Sequence, residues 1–223
     1  MCICTPFRNP LPALPPAVTR YHRPMLEQRI EQHFIDSADL KYQAAQVLSK
    51  PIAAAVQAIL TSVTSGGKVL ACGNGGSAAD AQHFAAEFVG RYERERPELS
   101  AIALTTDSSI LTAIANDYDF SVIFSKQVRA LGGAGDVLLA MSTSGNSANV
   151  LAAIEAAHER EMTVVALTGG GGGKIKQALR ETDVHVCVPH ERTARIQEVH
   201  LLVIHCICDG VDTQLLGDQE ALA

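Results

Sequence analysis

Residues 68–77 have the sequence KVLACGNGGS, in which a short apolar run is followed at once by a glycine-rich turn. An apolar run of this length that ends in glycines predicts a buried strand and a tight loop. Residues 78–92 then return to apolar positions at the helical period. The stretch therefore predicts a strand, a turn and a helix, which is the repeating unit of a parallel sheet.

The same unit recurs toward the carboxyl terminus. Further strands are predicted over residues 101–104, 136–141, 163–167 and 184–188, and further helices over residues 108–116, 120–131, 148–160 and 193–216. Strands that alternate with helices predict the α/β class, here a three-layer αβα sandwich around a central parallel sheet of about five strands. Two helices, residues 25–49 and 51–66, precede the sheet and are separated by Pro51, which is tolerated where a helix begins.

Composition restricts the classes of partner. The 223 residues carry a formal net charge of -6 and a pI of about 5.7, which gives no electrostatic basis for binding nucleic acid or an anionic membrane. No apolar run approaches the roughly 20 residues that span a bilayer, so no membrane partner is expected. The six cysteines form no recognisable disulfide framework, which favours the cytoplasm.

The first 24 residues differ from the rest in being rich in proline and in lacking a helical pattern. They contain no continuous apolar segment and no cleavage site typical of a signal peptide. We predict a disordered or non-native leader over residues 1–24. Residues 25–223 are then a single domain, with N-terminal helices over 25–66 and the sheet core over 67–223.

Two loops are candidates for binding a phosphate, because each follows a predicted strand and precedes a helix. They are residues 73–77 (GNGGS) and residues 142–147 (STSGNS). Ligands of parallel sheets bind at the carboxyl ends of the strands, where backbone N–H groups and hydroxyls can hold an anion. Helix capping in an ordinary turn is the alternative for either loop alone, but two such loops favour the phosphate site. Neither loop matches a dinucleotide-binding or P-loop motif.

Four polar side chains on two predicted helices are candidates for metal binding and proton transfer. His83 and Glu87 are four residues apart and share one helix face, and Gln197 and His205 are eight apart on the last helix. Histidine, carboxylate and amide side chains suit a divalent cation, zinc first, and Glu and His also suit proton transfer. A solvated ion pair and a core histidine are the structural alternatives, and spacing alone leaves them open.

Four segments carry a resemblance to a known family. They are residues 69–92 (VLACGNGGSAADAQHFAAEFVGRY), 113–117 (AIAND), 136–149 (DVLLAMSTSGNSAN) and 194–205 (ARIQEVHLLVIH). Together they resemble the bacterial phosphoheptose isomerases of the SIS (sugar isomerase) domain family, and the resemblance covers residues 25–216. It implies a SIS-type fold and a homotetramer with sites shared between subunits. The implied reaction converts sedoheptulose 7-phosphate to D-glycero-D-manno-heptose 7-phosphate, the entry to ADP-heptose for the lipopolysaccharide core.

The resemblance also assigns roles to individual residues. It implies one zinc ion per subunit, with His83, Glu87, Gln197 and His205 as ligands. We assign Glu87 as the base and His205 as the acid, and Ser77 joins the residues that hold the phosphate. The substrate contacts carried over from the family are Asn74, Gly75, Gly76, Glu87, Asn116, Asp117, Ser142, Thr143, Ser144, Ser147 and Gln197. The all-glycine run over residues 169–173 departs from the family pattern, in which polar residues are expected.

Two other functions remain open at this stage. The chain also resembles the replication-initiator-associating SIS protein, an adaptor that binds the initiator protein and is not known for catalysis. A sugar-phosphate sensor could use the same pocket without turnover, although no DNA-binding module is recognisable. Glu87 and His205 are both present, and a pure binding protein has no need of that pair, so the enzyme is favoured.

Overall fold

The computed structural model describes residues 23–217, with side chains from Met25 onward. Two compact units are distinguished, one ending at Ala38 and the other beginning at Asp39. Helix α1, Arg23–Thr64, contributes residues to both units, and all other elements belong to the second. The predicted leader, residues 1–24, lies outside the described residues except for Arg23 and Pro24, where α1 begins.

The second unit is built on a five-stranded sheet in which every pairing is parallel. Its strands are β1 Val69–Cys72, β2 Ala101–Ala103, β3 Val137–Ser142, β4 Thr163–Thr168 and β5 Val184–Cys187. Their order across the sheet is β2-β1-β3-β4-β5. The α/β class and the strand number predicted from the sequence are confirmed.

Six α-helices follow α1 within the described residues, up to residue 217. They are α2 Gly76–Val89, α3 Ser108–Asp117, α4 Ile123–Leu131, α5 Ala148–Glu159, α6 Gly173–Ala178 and α7 Thr193–Leu216. Alternate strand residues point to opposite faces, so Val69 and Ala71 join one core cluster and Leu70 and Cys72 the other. The first cluster packs α1, α2 and α7 against the sheet, and the second packs α3 to α6 against its other face. This is the predicted three-layer arrangement.

The prediction of two N-terminal helices separated at Pro51 is wrong, because α1 continues through that residue. Proline lacks the N–H that would bond to the carbonyl of residue 47, which weakens a helix locally. Leu48, Ala55 and Ile59 are nevertheless buried in the first core cluster on both sides of the proline. Packing of this apolar face outweighs the lost hydrogen bond.

The glycine run is also more ordered than the loop that the sequence predicts. Residues Gly170–Gly172 form a 3₁₀ turn, and α6 begins at Gly173. Gly170 to Gly173 all have positive φ values, between 53° and 92°. Residues with side chains rarely adopt this conformation, whereas glycine adopts it readily. Because glycines also have no apolar side chains, the segment has no helical periodicity that the sequence could show.

Two helices are long and apolar enough to cross a membrane by length and composition alone, residues Met25–Thr64 and Thr193–Leu216. By that criterion the expectation that no segment reaches spanning length does not hold. The second of these helices, α7, contributes Ile196, Val203 and Ile207 to the core cluster on the sheet. A buried core helix passes the same test, so the absence of a membrane partner stays a prediction.

Candidate active site

Helices α2 and α7 lie side by side and bring three of the predicted polar side chains together. The Nε2 atom of His83 lies 3.1 Å from Oε1 of Glu87 and 3.1 Å from Nε2 of His205. The two imidazole rings are 5.2 Å apart between centroids, and the Tyr92 ring lies 5.6 Å from that of His205 in a tilted arrangement. The structure thus forms a continuous contact from Glu87 through His83 to His205, which we call the Glu–His–His relay.

The donor atoms of this relay are compatible with a shared cation. Adjacent ligands of a tetrahedral zinc ion at 2.0–2.1 Å lie about 3.3 Å apart, close to the spacing of the two Nε2 atoms. Within residues 23–217, however, no three His, Cys, Asp or Glu side chains already form a closed metal-binding group. The relay supplies the donor types that zinc prefers, two imidazoles and a carboxylate.

Gln197, the fourth predicted ligand, lies at the opposite end of α2. A Cβ atom added to Gly76 would be 2.4 Å from the Gln197 amide nitrogen, so this amide packs directly on the glycine loop. Gly76 is seven residues before His83, about 10 Å along the helix axis. Gln197 therefore contacts the predicted substrate loop, and no described contact joins it to the relay.

The first glycine loop is held in shape by a pair of amide side chains. Asn74 and Asn149 donate to each other through their side-chain amides, at 2.8 Å in both directions. Gly75 has φ 58°, a conformation that favours glycine, and a Cβ on Gly73 would lie 2.7 Å from Ser77. The Ser77 side chain is buried, and its backbone N–H donates to the Asn74 carbonyl. The structure places four predicted residues, Asn74 to Ser77, in one tight turn at the end of β1.

The second loop follows β3, the neighbour of β1 in the sheet. The hydroxyls of Ser142 and Ser147 are 2.9 Å apart across the loop, and Ser144 Oγ accepts the Asn146 N–H at 3.2 Å. Asn149, at the start of α5 just after the second loop, is joined to the first loop by its amide pair with Asn74. The predicted residues Ser142, Thr143, Ser144 and Ser147 are therefore grouped beside the first loop.

Asn116 and Asp117 lie apart from this group. They are exposed at the carboxyl end of α3, where the Asn116 amide donates to the Asp117 carboxylate at 2.9 Å. No described contact joins either residue to the two loops or to the relay. Within one chain, these two predicted substrate residues are not brought to the site.

A cavity of about 190 Å³ opens beside the first loop and is lined by Gly73, Asn74, Gly75, Thr105 and Phe120, among others. A larger cavity of about 470 Å³ lies at the amino ends of the strands, next to Gly135 and Thr163. The larger cavity contains none of the predicted site residues. Parallel sheets bind ligands at the carboxyl ends of their strands, so the cavity beside the glycine loop is the relevant one.

Sequence reasoning missed several residues that support the site. Asn149 holds Asn74, and the fully buried His200 donates from Nε2 to the Thr168 carbonyl at 3.0 Å. Burial lowers the pKa of His200 to about 4, so its ring is neutral in the folded protein. Burial raises the pKa of Asp80, one turn before His83, while the electrostatic interaction with His83 opposes that shift. The contacts of Asn149 and His200 join distant parts of the chain and leave no periodic signal in the sequence.

Comparisons with known proteins show the family and the fold of the chain. The SIS domain family matches residues 32–169. The chain is similar to the phosphoheptose isomerase of Methylibium petroleiphilum, with 75% identity over 196 residues that cover 88% of this chain and 98% of the relative. It is also similar to the phosphoheptose isomerase of Neisseria meningitidis, with 61% identity over 191 residues that cover 86% and 97% of the two chains.

Solved structures of phosphoheptose isomerases have the same fold as this chain. The phosphoheptose isomerase of Neisseria gonorrhoeae superposes with a TM-score of 0.81 at 58% identity, covering 84% of this chain and 99% of that one. The phosphoheptose isomerase of Francisella tularensis superposes with a TM-score of 0.81 at 46% identity, covering 83% and 97%.

Proposed function

The chain belongs to the phosphoheptose isomerases of the SIS domain family, and from that membership we propose that it converts sedoheptulose 7-phosphate to D-glycero-D-manno-heptose 7-phosphate. The resemblance drawn from the four sequence segments is confirmed, and the protein is an isomerase. One observation carries the proposal at the level of chemistry. The Glu–His–His relay joins α7 to α2, and α2 begins directly at a glycine loop suited to a phosphate.

The reaction moves a proton between C1 and C2 of the sugar while the carbonyl changes place. Glu87 is the base that removes the proton, and His205 is the acid that serves the carbonyl and hydroxyl oxygens. Contact through His83 holds the two groups in register, since His83 Nε2 is 3.1 Å from both. Negative charge develops on oxygen in the enediolate, and the nearby imidazoles are placed to stabilise it.

The phosphate end of the substrate binds at the two loops. Backbone N–H groups at the start of α2 and the hydroxyls of Ser77, Ser142, Ser144 and Ser147 supply neutral donors for an anion. The phosphate is bound at a distance from the reacting carbons, and this fixes the orientation of the sugar. A fixed orientation lowers the entropic part of the activation free energy.

We include one zinc ion per subunit in this proposal, held by His83, Glu87 and His205, with Gln197 as the fourth ligand. Because a zinc-bound carboxylate or imidazole is a poorer proton carrier, Glu87 and His205 would alternate between holding zinc and transferring a proton. When bound, zinc would polarise the substrate oxygens and stabilise negative charge on them. The 3.1 Å spacing of the two imidazole nitrogens supports His83 and His205 as ligands, and the 3.1 Å distance from His83 Nε2 to Glu87 Oε1 supports Glu87. Gln197 would have to leave Gly76 to join them.

The cellular setting follows the family resemblance. We propose a cytoplasmic homotetramer with sites shared between subunits, acting at the entry to ADP-heptose synthesis for the lipopolysaccharide core. The position of Asn116 and Asp117 away from the site of their own chain supports sharing, because substrate residues that miss one site can complete another. Neither the initiator-binding adaptor nor the sugar-phosphate sensor is favoured by the relatives, which are enzymes in name.

An assay of the purified protein with sedoheptulose 7-phosphate tests the proposal. Formation of the aldose product should be followed by NMR, before and after treatment with a chelator and again after zinc is restored. We expect turnover that falls with chelation and returns with zinc. Turnover that is unchanged by the chelator would contradict the role of zinc. Absence of turnover under all three conditions would contradict the proposed reaction.

A further inference from the structure

A buried arginine outside the predicted site connects the two helices that carry the relay. Arg96 lies in the segment between α2 and β2, and its side chain is only 1% exposed. No sequence motif includes it, and nothing in the proposed chemistry uses it. A buried guanidinium must be fully paired to be tolerated, so its partners show what it does.

The first set of partners is the carboxyl end of α2. The last carbonyls of a helix have no partner within the helix. Arg96 donates from Nη2 to the Glu87 carbonyl at 2.7 Å and from Nη1 to the Phe88 carbonyl at 2.9 Å. The guanidinium thus closes the end of α2 at the residue that carries the proposed base.

The second partner lies on α7. Arg96 donates from Nε to Asp212 Oδ1 at 2.7 Å, and the Asp212 side chain is 3% exposed. Asp212 is seven residues after His205, two turns along the same helix face. One rigid, planar group therefore bonds both to the backbone of Glu87 and to the helix of His205.

We propose that Arg96 is a positioning residue for the isomerase reaction, fixing the base-bearing end of α2 against the acid-bearing helix α7. This inference rests on the proposed roles of Glu87 and His205. The relay spans the same two helices through side chains that can rotate, whereas the Arg96 contacts act on the backbone of one helix and a buried carboxylate of the other. The phosphate loops lie at the other end of α2, so Arg96 has no part in gripping the phosphate.

Two variants test this proposal. Arg96→Lys keeps the charge but cannot bond to the Glu87 carbonyl, the Phe88 carbonyl and Asp212 at once. Asp212→Asn keeps the shape and removes the ionic partner. The matched control is Arg129→Lys, because Arg129 also pairs with a carboxylate, at 2.7 Å from Glu159, but on the surface and away from the site.

The readouts are kcat and KM for sedoheptulose 7-phosphate, with hydrogen exchange across residues 84–92 as a measure that needs no activity. We expect kcat to fall about 10- to 100-fold in both test variants with KM changed by less than about twofold, since misplacement of catalytic groups has effects of this size. Exchange across residues 84–92 should rise in both test variants, and the control should match the parent in every measure.

Several results would overturn the proposal. They are an unchanged kcat in folded test variants, a rise in KM alone, or failure of both variants to fold, which would make Arg96 a determinant of the whole fold. Inactivity of the parent protein is a separate outcome, which would contradict the proposed isomerase reaction. In that case the exchange data still decide whether Arg96 holds the end of α2, and unchanged exchange would refute it.

Discussion

At the scale of single residues, Glu87 has the clearest assigned role. Its carboxylate touches His83 and is partly exposed toward the site. Glu87→Gln keeps the shape and removes the base, so we expect kcat to fall on the order of 10²–10⁴-fold while the circular dichroism spectrum and melting temperature stay close to the parent.

Glu159→Gln is the matched control, because Glu159 is an exposed glutamate whose pairing with Arg129 contributes little. Near-parental turnover in Glu87→Gln would remove Glu87 from the proton path.

His200 sets a limit on stability in acid. Its pKa is held near 4 by burial, against an ordinary value of 6.5, so between these pH values the unfolded chain binds a proton that the folded protein does not. The free energy of unfolding must then rise with pH across this window and fall as the solution is acidified, by up to roughly 3 kcal/mol from this one group.

We expect urea denaturation of the parent to show that loss between pH 6.5 and pH 4. A His200→Gln variant should lose less stability over the same interval, even if it is less stable at neutral pH. Parallel pH curves for the two proteins would show that His200 is not the group responsible.

At the scale of elements, success in prediction follows the periodicity of the sequence. Strand β1 and helix α7 were predicted to within a residue because an apolar run or a helical pattern marks each of them. Pro51 was misjudged because packing on both sides of it overrides a local signal. The pairing of Asn74 with Asn149, and of Arg96 with Asp212, joins residues far apart in sequence. Such contacts depend on the finished fold, and no local pattern reports them.

The glycine run over residues 169–173 packs closely against the second phosphate loop. A Cβ on Gly173 would lie 2.7 Å from the carbonyl oxygens of both Ser144 and Gly145, whereas a Cβ on Gly171 would meet nothing within 4 Å. Gly173→Ala should therefore displace the loop and raise KM for the sugar phosphate several-fold, with a loss of stability.

Gly171→Asn is the control, because asparagine tolerates a positive φ and has open space here. Its KM and melting temperature should match the parent. If both variants behaved like the parent, the run would have no role in shaping the loop.

Within that second loop, Ser144→Ala should weaken binding more than it slows the chemistry. One lost hydrogen bond to a charged phosphate costs about 1.5–3 kcal/mol, and the loop also loses the Asn146 N–H bond to Ser144 Oγ. We expect KM to rise about 10- to 100-fold with kcat nearly unchanged. Ser109→Ala, an exposed serine on α3, should have no effect on either constant. A fall in kcat alone would mean that this loop does not hold the phosphate.

At the scale of the whole molecule, α7 leaves several apolar side chains partly exposed. Leu201, Leu202, Leu215 and Leu216 are each exposed by between 37% and 42%. A helix that buries some apolar side chains and leaves others exposed is typical of a chain that associates with copies of itself. This supports the proposed tetramer and makes subunit mixing a direct test of how its sites are built.

Mixing experiments can distinguish residues that act within one chain from residues that complete a neighbour's site. Glu87 and His205 are joined through His83 of the same chain. A mixture of Glu87→Gln and His205→Ala proteins, dissociated and reassembled together, should therefore stay inactive, because each chain lacks one member of its own relay. Asp117 lies apart from the relay of its own chain, so Asp117→Asn should complement Glu87→Gln if it serves a neighbour. In an equal mixture, about a quarter of the sites would then pair an intact relay with an intact Asp117. Activity in the first mixture would show that Glu87 and His205 of one site come from different subunits. Absence of activity in the second mixture would show that Asp117 serves the site of its own chain.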